Sequence, residues 1–397
     1  MKRNKESNLS GLYCLHQVAY FFAIAGIGAF AVTYLLDKGF AAAQIGIMLA
    51  STNVCSCILQ PLIGSYVDRR SMALLPRIIL LCLLIAFASM TAIEWLNPAL
   101  PVIGGLFVLG SLTFSMTVPL SNSLCAYYSQ NRCKIDYGMG AGVGSLSFSV
   151  ASLVFGYLIA QKGPSAMMLL ALAFMAMMIV LILRYPKVQE EQAAGQGERG
   201  EESLSILGFC RRYRMFMLTM VGIMCLSACH AMAENYLIQL FERLGGGSEH
   251  VGIALFLACT TAAPFLLFFE RIQKRTGVVI LLKMAGVFFV AKALLLIWAP
   301  SILSIYLIEL LQTVTYGFLY PPMYYLVVSR IHSRDMAKGQ ALASTLYTLG
   351  TALGNSLGGT VIDWMGLDAM LALAAIIAAT GTVLIHLTIT RQEKVAA

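Results

Sequence analysis

His230 and Glu234 stand four residues apart inside an apolar run, so on a helix they share one face. Lys292 and Glu309 stand in two later apolar runs. Lys292 lies about six residues from the end of its run and Glu309 about nine from Pro300, depths of roughly 9 and 13 Å at 1.5 Å per residue. At such similar depth Glu309 and Lys292 can form an ion pair, with Glu234 as a competing partner. A carboxylate in an apolar cavity can take up a proton near neutral pH, and a neighbouring ammonium opposes this. A solute or a conformational change that breaks the pair would then couple proton and solute. The same residues are also consistent with a fixed ion pair that only holds helices together. Lys292 could equally snorkel to the surface, and His230 could be a packing histidine. Gln312, Tyr316 and Tyr320 follow at i, i+4 and i+8 and share a face, as a cavity wall or as a packing stripe.

The elements that must position these groups are apolar runs of about 20 residues, long enough to cross the roughly 30 Å core of a bilayer as helices. The chain has 397 residues, 59% of them hydrophobic and only 12% charged, with a mean hydropathy of +0.80. Soluble proteins carry about 25% charged residues. No strand-like alternation supports a barrel. The composition predicts an all-α polytopic membrane protein. Twelve spans are expected near 10–36, 44–66, 74–96, 101–127, 138–161, 165–184, 214–240, 250–270, 277–298, 302–329, 339–362 and 367–389. Residues 1–184 and 214–397 would form two six-helix bundles, joined by a polar linker over 185–213.

Lys and Arg fall almost wholly in one set of loops, whereas the opposite loops hold only Lys38, Lys162 and Arg243. The positive-inside bias therefore predicts cytoplasmic termini and a cytoplasmic linker, in a bacterial-type inner membrane. The net charge of +8 is topological, and no nucleic-acid partner is expected. The ten cysteines show no metal-like spacing, so no metal is expected either. There is no Walker P-loop and no serine-nucleophile motif, so neither an enzyme nor a bound cofactor is expected. A proton gradient is the expected driving force.

Gln60–Arg70 reads Gln-Pro-Leu-Ile-Gly-Ser-Tyr-Val-Asp-Arg-Arg and joins two spans. Pro61 and Asp68 repeat as Pro264 and Arg271 after 203 residues, and the same shift carries Pro119 onto Pro322. Two similar halves in tandem are a signature of many transporters. Glycines at 138, 140, 142 and 144, and at 350, 354, 358 and 359, predict close helix packing or a sliding contact.

Three stretches carry a resemblance to the major facilitator superfamily and, within it, to its lactose-permease-like branch of oligosaccharide or nucleoside:proton symporters. They are Gly28-Ala-Phe30 with Gln60-Pro-Leu and Gly64 to Asp68; Pro119 to Asn122 with Asp136-Tyr-Gly138; and Leu311-Gln312 with Lys338-Gly-Gln340-Ala. The resemblance implies a solute cavity at mid-membrane, opened alternately to each side. It also implies a cytoplasmic gate at Gly64, Asp68, Arg69 and Arg70, unless those charges serve only as positive-inside anchors. Against lactose permease, Asn122 and Ala141 stand where an acidic and a basic sugar ligand would be. Phe148 replaces a stacking Trp, Lys292 an Arg, Gln312 a His and Thr315 a Glu. Asn122, Phe148, Gln312, Lys292 and Tyr316 are the expected solute-binding residues, with Glu309, Glu234 and His230 as the charge network. An amide both donates and accepts, and an aromatic face suits a sugar or a base. The reading is a monomeric secondary transporter of a small polar solute, driven by proton symport. The alternatives are a facilitator, an exporter of amphipathic compounds, or a non-transporting sensor with the same fold.

Overall fold

The computed structural model describes residues 2–70, 74–130, 137–186, 206–332 and 335–396. The described residues are almost wholly helical and include no strand. In chain order the helices are α1 (Lys2–Ile24), a π-helical turn (Ala25–Ala29), α2 (Ala31–Asp37), α3 (Ala42–Arg70), α4 (Leu75–Leu96), α5 (Leu100–Gln130), α6 (Tyr137–Lys162) and α7 (Pro164–Leu183). There follow α8 (Ile206–Arg212), α9 (Arg214–Asn235), α10 (Leu237–Arg243), α11 (Ser248–Leu267), α12 (Phe269–Thr276), α13 (Val278–Ile297), α14 (Ile302–Glu309), α15 (Gln312–Arg330), α16 (Met336–Met365) and α17 (Leu367–Ala396).

Among the described residues, ten segments are long and apolar enough to cross a membrane. The eighth and eleventh spans are not among them. In the eighth, α11 carries Pro264 and α12 follows after Phe268. The eleventh, α16, is 30 residues long but diluted by glycine and polar residues. In lipid every backbone group must be satisfied within its own segment, so helices are the form that such runs must take. Pro61, Pro119, Pro321 and Pro322 lie inside helices, where neighbouring helices in a membrane tolerate them.

The chain divides into two compact units. Unit 1 comprises Met1–Phe40, Ser51–Gly195 and Gly247–Phe256; unit 2 comprises Ala41–Ala50, Gln196–Gly246 and Leu257–Ala397. The first residues of α3 thus cluster with unit 2, and the first residues of α11 with unit 1. Of the expected linker, 187–205 lie outside the described residues. Its last part is helix α8, where Phe209 is fully buried against the rings of Tyr213 and Phe216.

The tandem repeat shows in which helices pack together. Within unit 1, α1 packs on α6 and α7, and α4 packs on α5 and α7. Within unit 2, α9 packs on α16 and α17, and α13 packs on α15 and α17. Numbered as spans, the first set pairs 1 with 5 and 6, and 3 with 4 and 6. The second pairs 7 with 11 and 12, and 9 with 10 and 12, the same pattern six spans on. The glycines of α16 serve this packing. A Cβ on Gly350 or Gly354 would overlap the backbone carbonyls of Met224 or Ala228 on α9. On α6, Gly140 and Gly144 accept the rings of Tyr13 and Phe21 from α1, whereas Gly142 faces open space. Trp95, Trp298 and Trp364 all sit at the C-terminal ends of odd-numbered spans and are exposed, as aromatic residues at a membrane interface are.

Candidate functional site

The site in unit 2 is built where helices break. Span 10 is interrupted at Leu310–Leu311: α14 ends on Glu309 and α15 begins on Gln312. Span 7 is interrupted at Tyr236, directly after Glu234 and Asn235. Discontinuous helices at mid-membrane free backbone groups and allow polar side chains to gather. Lys292 comes from the unbroken helix α13.

Lys292 Nζ donates to Glu234 Oε1 at 2.6 Å, to Glu309 Oε2 at 2.8 Å and to Gln312 Oε1 at 3.1 Å. An ammonium has three donors, and all three are used. Lys292 and Glu309 are only 3% and 1% exposed, which makes this a desolvated cluster rather than a surface pair. The sequence left Glu309 and Glu234 as competing partners; the structure gives Lys292 both. Glu309 Oε1 is buried and has no hydrogen-bond partner among the described residues. His230 Nδ1 lies 3.9 Å from Glu234 Oε1, as the i, i+4 spacing requires.

An aromatic array continues from the cluster. His230 stacks on Tyr316 with centroids 5.3 Å apart, and Tyr316 stacks on Tyr320 at 5.3 Å. Tyr320 meets Tyr324 and Tyr347 edge-on, each at 5.2 Å. Tyr316, Tyr320, Tyr324 and Tyr347 are all half-buried, so this wall is partly open. Thr315, where lactose permease has an acid, is buried and bonded to its own helix through the Leu311 carbonyl at 3.0 Å.

Unit 1 holds the other two expected solute-binding residues. Asn122 on α5 is exposed, and Phe148 on α6 is half-buried with its ring edge-on to Phe21. Gln312, Lys292 and Tyr316 belong to unit 2. The side chains of Gly64, Asp68, Arg69 and Arg70 lie outside the described residues, although α3 runs through all four positions.

Sequence reasoning missed several polar contacts. In unit 1, Lys38 Nζ lies 3.1 Å from Glu94 Oε1, and the Tyr34 hydroxyl donates to the same carboxylate oxygen. Lys38 also reaches Ser165 Oγ at 3.4 Å and sits over the Tyr34 ring. Buried His16 bonds Ser121 Oγ through Nε2 at 3.2 Å, and its Nδ1 has no partner among the described residues. Glu94, an acid inside an apolar run, was the available signal for the first contact. For the second it was His16 itself, an ionisable side chain inside the first apolar run.

The model of the MFS_1 like family matches residues 12–372. The chain belongs to that family. This MFS-family chain is 28% identical over 344 residues to the maltose permease of Geobacillus stearothermophilus, which covers 85% of the chain and 82% of the permease. It is 23% identical over 376 residues to the transporter YwbF of Bacillus subtilis (strain 168), covering 91% of this chain and 90% of that one. Among solved structures, the nucleoside transporter NupG matches with a TM-score of 0.78 at 16% identity, over 96% of this chain and 98% of that one. A POT family transporter solved with a thioalcohol-conjugated peptide matches with a TM-score of 0.73 at 11% identity, over 97% and 96%. These structural likenesses establish the twelve-helix MFS fold. The chain is a multi-pass membrane transporter and not an enzyme.

Proposed function

We propose that this transporter imports a small hydroxylated solute, a sugar or a nucleoside, by proton symport across the cytoplasmic membrane. It works as a monomer with both termini in the cytoplasm. The observation that carries the reading is the buried cluster of one ammonium and two carboxyls at Lys292, Glu234 and Glu309. With every group ionised the cluster holds one uncompensated negative charge, which is costly to keep in a dry interior. One proton shared by the carboxyls cancels it. Glu309 Oε1, the oxygen without a partner, is the place for that proton.

The coupling follows from electrostatics. With the proton on Glu309, Lys292 is held by Glu234 alone among charged partners, and the cluster is neutral. Loss of the proton pulls Lys292 between two carboxylates and tightens α9, α13 and α14 around it. Gln312 bonds the same ammonium and could also meet a solute hydroxyl, so solute and proton bear on one network. The Tyr316–Tyr320 wall suits the C–H face of a sugar or the flat face of a base. The names of the maltose permease and of the nucleoside transporter support the same solute classes. The Lys/Arg-rich loops support the orientation.

Uptake into proteoliposomes tests this, with and without an inward proton gradient, over a sugar and nucleoside panel. Accumulation that needs the gradient and is lost in Glu309→Gln is expected. Equilibration without accumulation in the parent protein would make it a facilitator. Gradient-driven efflux would make it an exporter, and binding without flux a sensor.

A further inference from the structure

We propose that Asp363 is a positioning residue of the transport cycle. Its carboxylate seats the first turn of α3 on the end of α16, and the break in α9 ties that seat to Glu234. The inference rests on the alternating-access reading above.

The first backbone N–H groups of any helix lack partners within it. α3 begins after Gly39-Phe40-Ala41, a stretch with no side chain able to cap it. The cap comes instead from 321 residues along the chain: Ala42 N–H donates to Asp363 Oδ1 at 3.2 Å, and Ala43 N–H to Asp363 Oδ2 at 2.7 Å. An aspartate at a helix N-terminus is favoured by both hydrogen bonding and the helix dipole. Two glycines make the approach possible. A Cβ on Gly359 would overlap the Ala42 carbonyl, and one on Gly46 would overlap the Asn355 carbonyl. Residues Ala41–Ala50 accordingly cluster with unit 2, although the rest of α3 clusters with unit 1.

The same Asn355 carbonyl that faces Gly46 accepts a hydrogen bond from the Tyr236 hydroxyl at 2.8 Å. Its side chain accepts one from Asn235 Nδ2. Glu234, Asn235 and Tyr236 are consecutive, and they sit at the break between α9 and α10. They hold, in turn, the Lys292 ammonium, the Asn355 side chain and the Asn355 backbone. A change of charge at Glu234 therefore moves the break that supports the seat of α3. On the alternating-access reading, opening at this end takes the first turn of α3 off Asp363 and breaks these two bonds.

The test measures the distance between nitroxides on ketone-bearing residues at Ile47 and Met365. Both positions are exposed, and this chemistry leaves the ten native cysteines in place. The full chain is used in proteoliposomes. Asp363→Ala should raise the ratio of long to short distances about fivefold, the size of a lost helix cap. Asp363→Asn, which keeps the shape, should raise it less, and Asp363→Glu should restore the parent distribution. Glu234→Gln should shift it the same way, and the double variant should shift it by less than the product of the two. An unchanged distribution in both Asp363→Ala and Asp363→Asn overturns the seat; independent, multiplicative effects overturn the link to Glu234. Uptake is measured in the same vesicles. A parent protein that moves no solute would refute the transport reading, while the distances still decide the seat.

Discussion

Replacing Lys292 with Met removes the cation between two buried carboxyls and shortens the side chain by only one heavy atom. At 2.6 and 2.8 Å, and with an effective dielectric constant of about 20, each ion contact is worth roughly 6 kcal/mol before desolvation. Desolvation of three buried groups and repulsion between the carboxylates offset much of this. The net cost of orphaning buried partners is about 3–5 kcal/mol. Unfolding entropy of about 2.1 cal/mol/K per residue over the chain turns a loss of about 4 kcal/mol into a Tm drop of roughly 5 °C. The assay is thermal unfolding of detergent-purified protein, followed by the fluorescence of Trp95, Trp298 and Trp364. Adding Glu234→Gln to Lys292→Met should recover most of the loss, because the surviving acid then stands alone and can be neutral. Lys292→Met with an unchanged Tm, or a double variant as unstable as the sum of its parts, would refute the argument that the cluster is one electrostatic unit.

Three further outcomes follow from the packing. Glu94→Gln should lower stability by about 1–3 kcal/mol by leaving Lys38 short of its counter-charge, yet leave the dependence of uptake on the proton gradient intact; uncoupled uptake would place Glu94 in the coupling machinery instead. Gly354→Leu should prevent α16 from seating on the Ala228 carbonyl and abolish folded protein, read as loss of a monodisperse peak in size-exclusion chromatography. Tyr316→Ala should raise KM for the solute roughly tenfold by removing the ring between His230 and Tyr320, at a cost of about 1–2 kcal/mol. An unchanged KM in uptake kinetics would make that ring a packing element.

The spans were legible because lipid leaves an apolar run of that length little choice but helix. The break at Phe268 was not legible: residues 250–270 read as one span, and Pro61, Pro119, Pro321 and Pro322 all sit within helices that continue through them. The breaks at Leu310–Leu311 and at Tyr236 were not legible either: neither has a proline or glycine at it, and both lie beside residues of the polar cluster. Helical spacing put His230 and Glu234 on one face, and depth brought Lys292 and Glu309 to one level. Whether Lys292 takes one carboxylate or two depends on the angle between three helices, which no local pattern encodes. Asp363 at the start of α3, and Glu94 beside Lys38, join distant parts of the chain through one or two atoms. Nothing in the sequence pairs either one with its distant partner.

The central claim, that solute and proton travel together through Glu309, is tested most directly in weakly buffered proteoliposomes with a pH electrode outside. Maltose and nucleosides are each added to vesicles at zero gradient. The account predicts a rise in external pH on addition of the transported solute. In Glu309→Gln it predicts no rise, although labelled solute still exchanges across the membrane. Alkalinisation that persists undiminished in Glu309→Gln would contradict it.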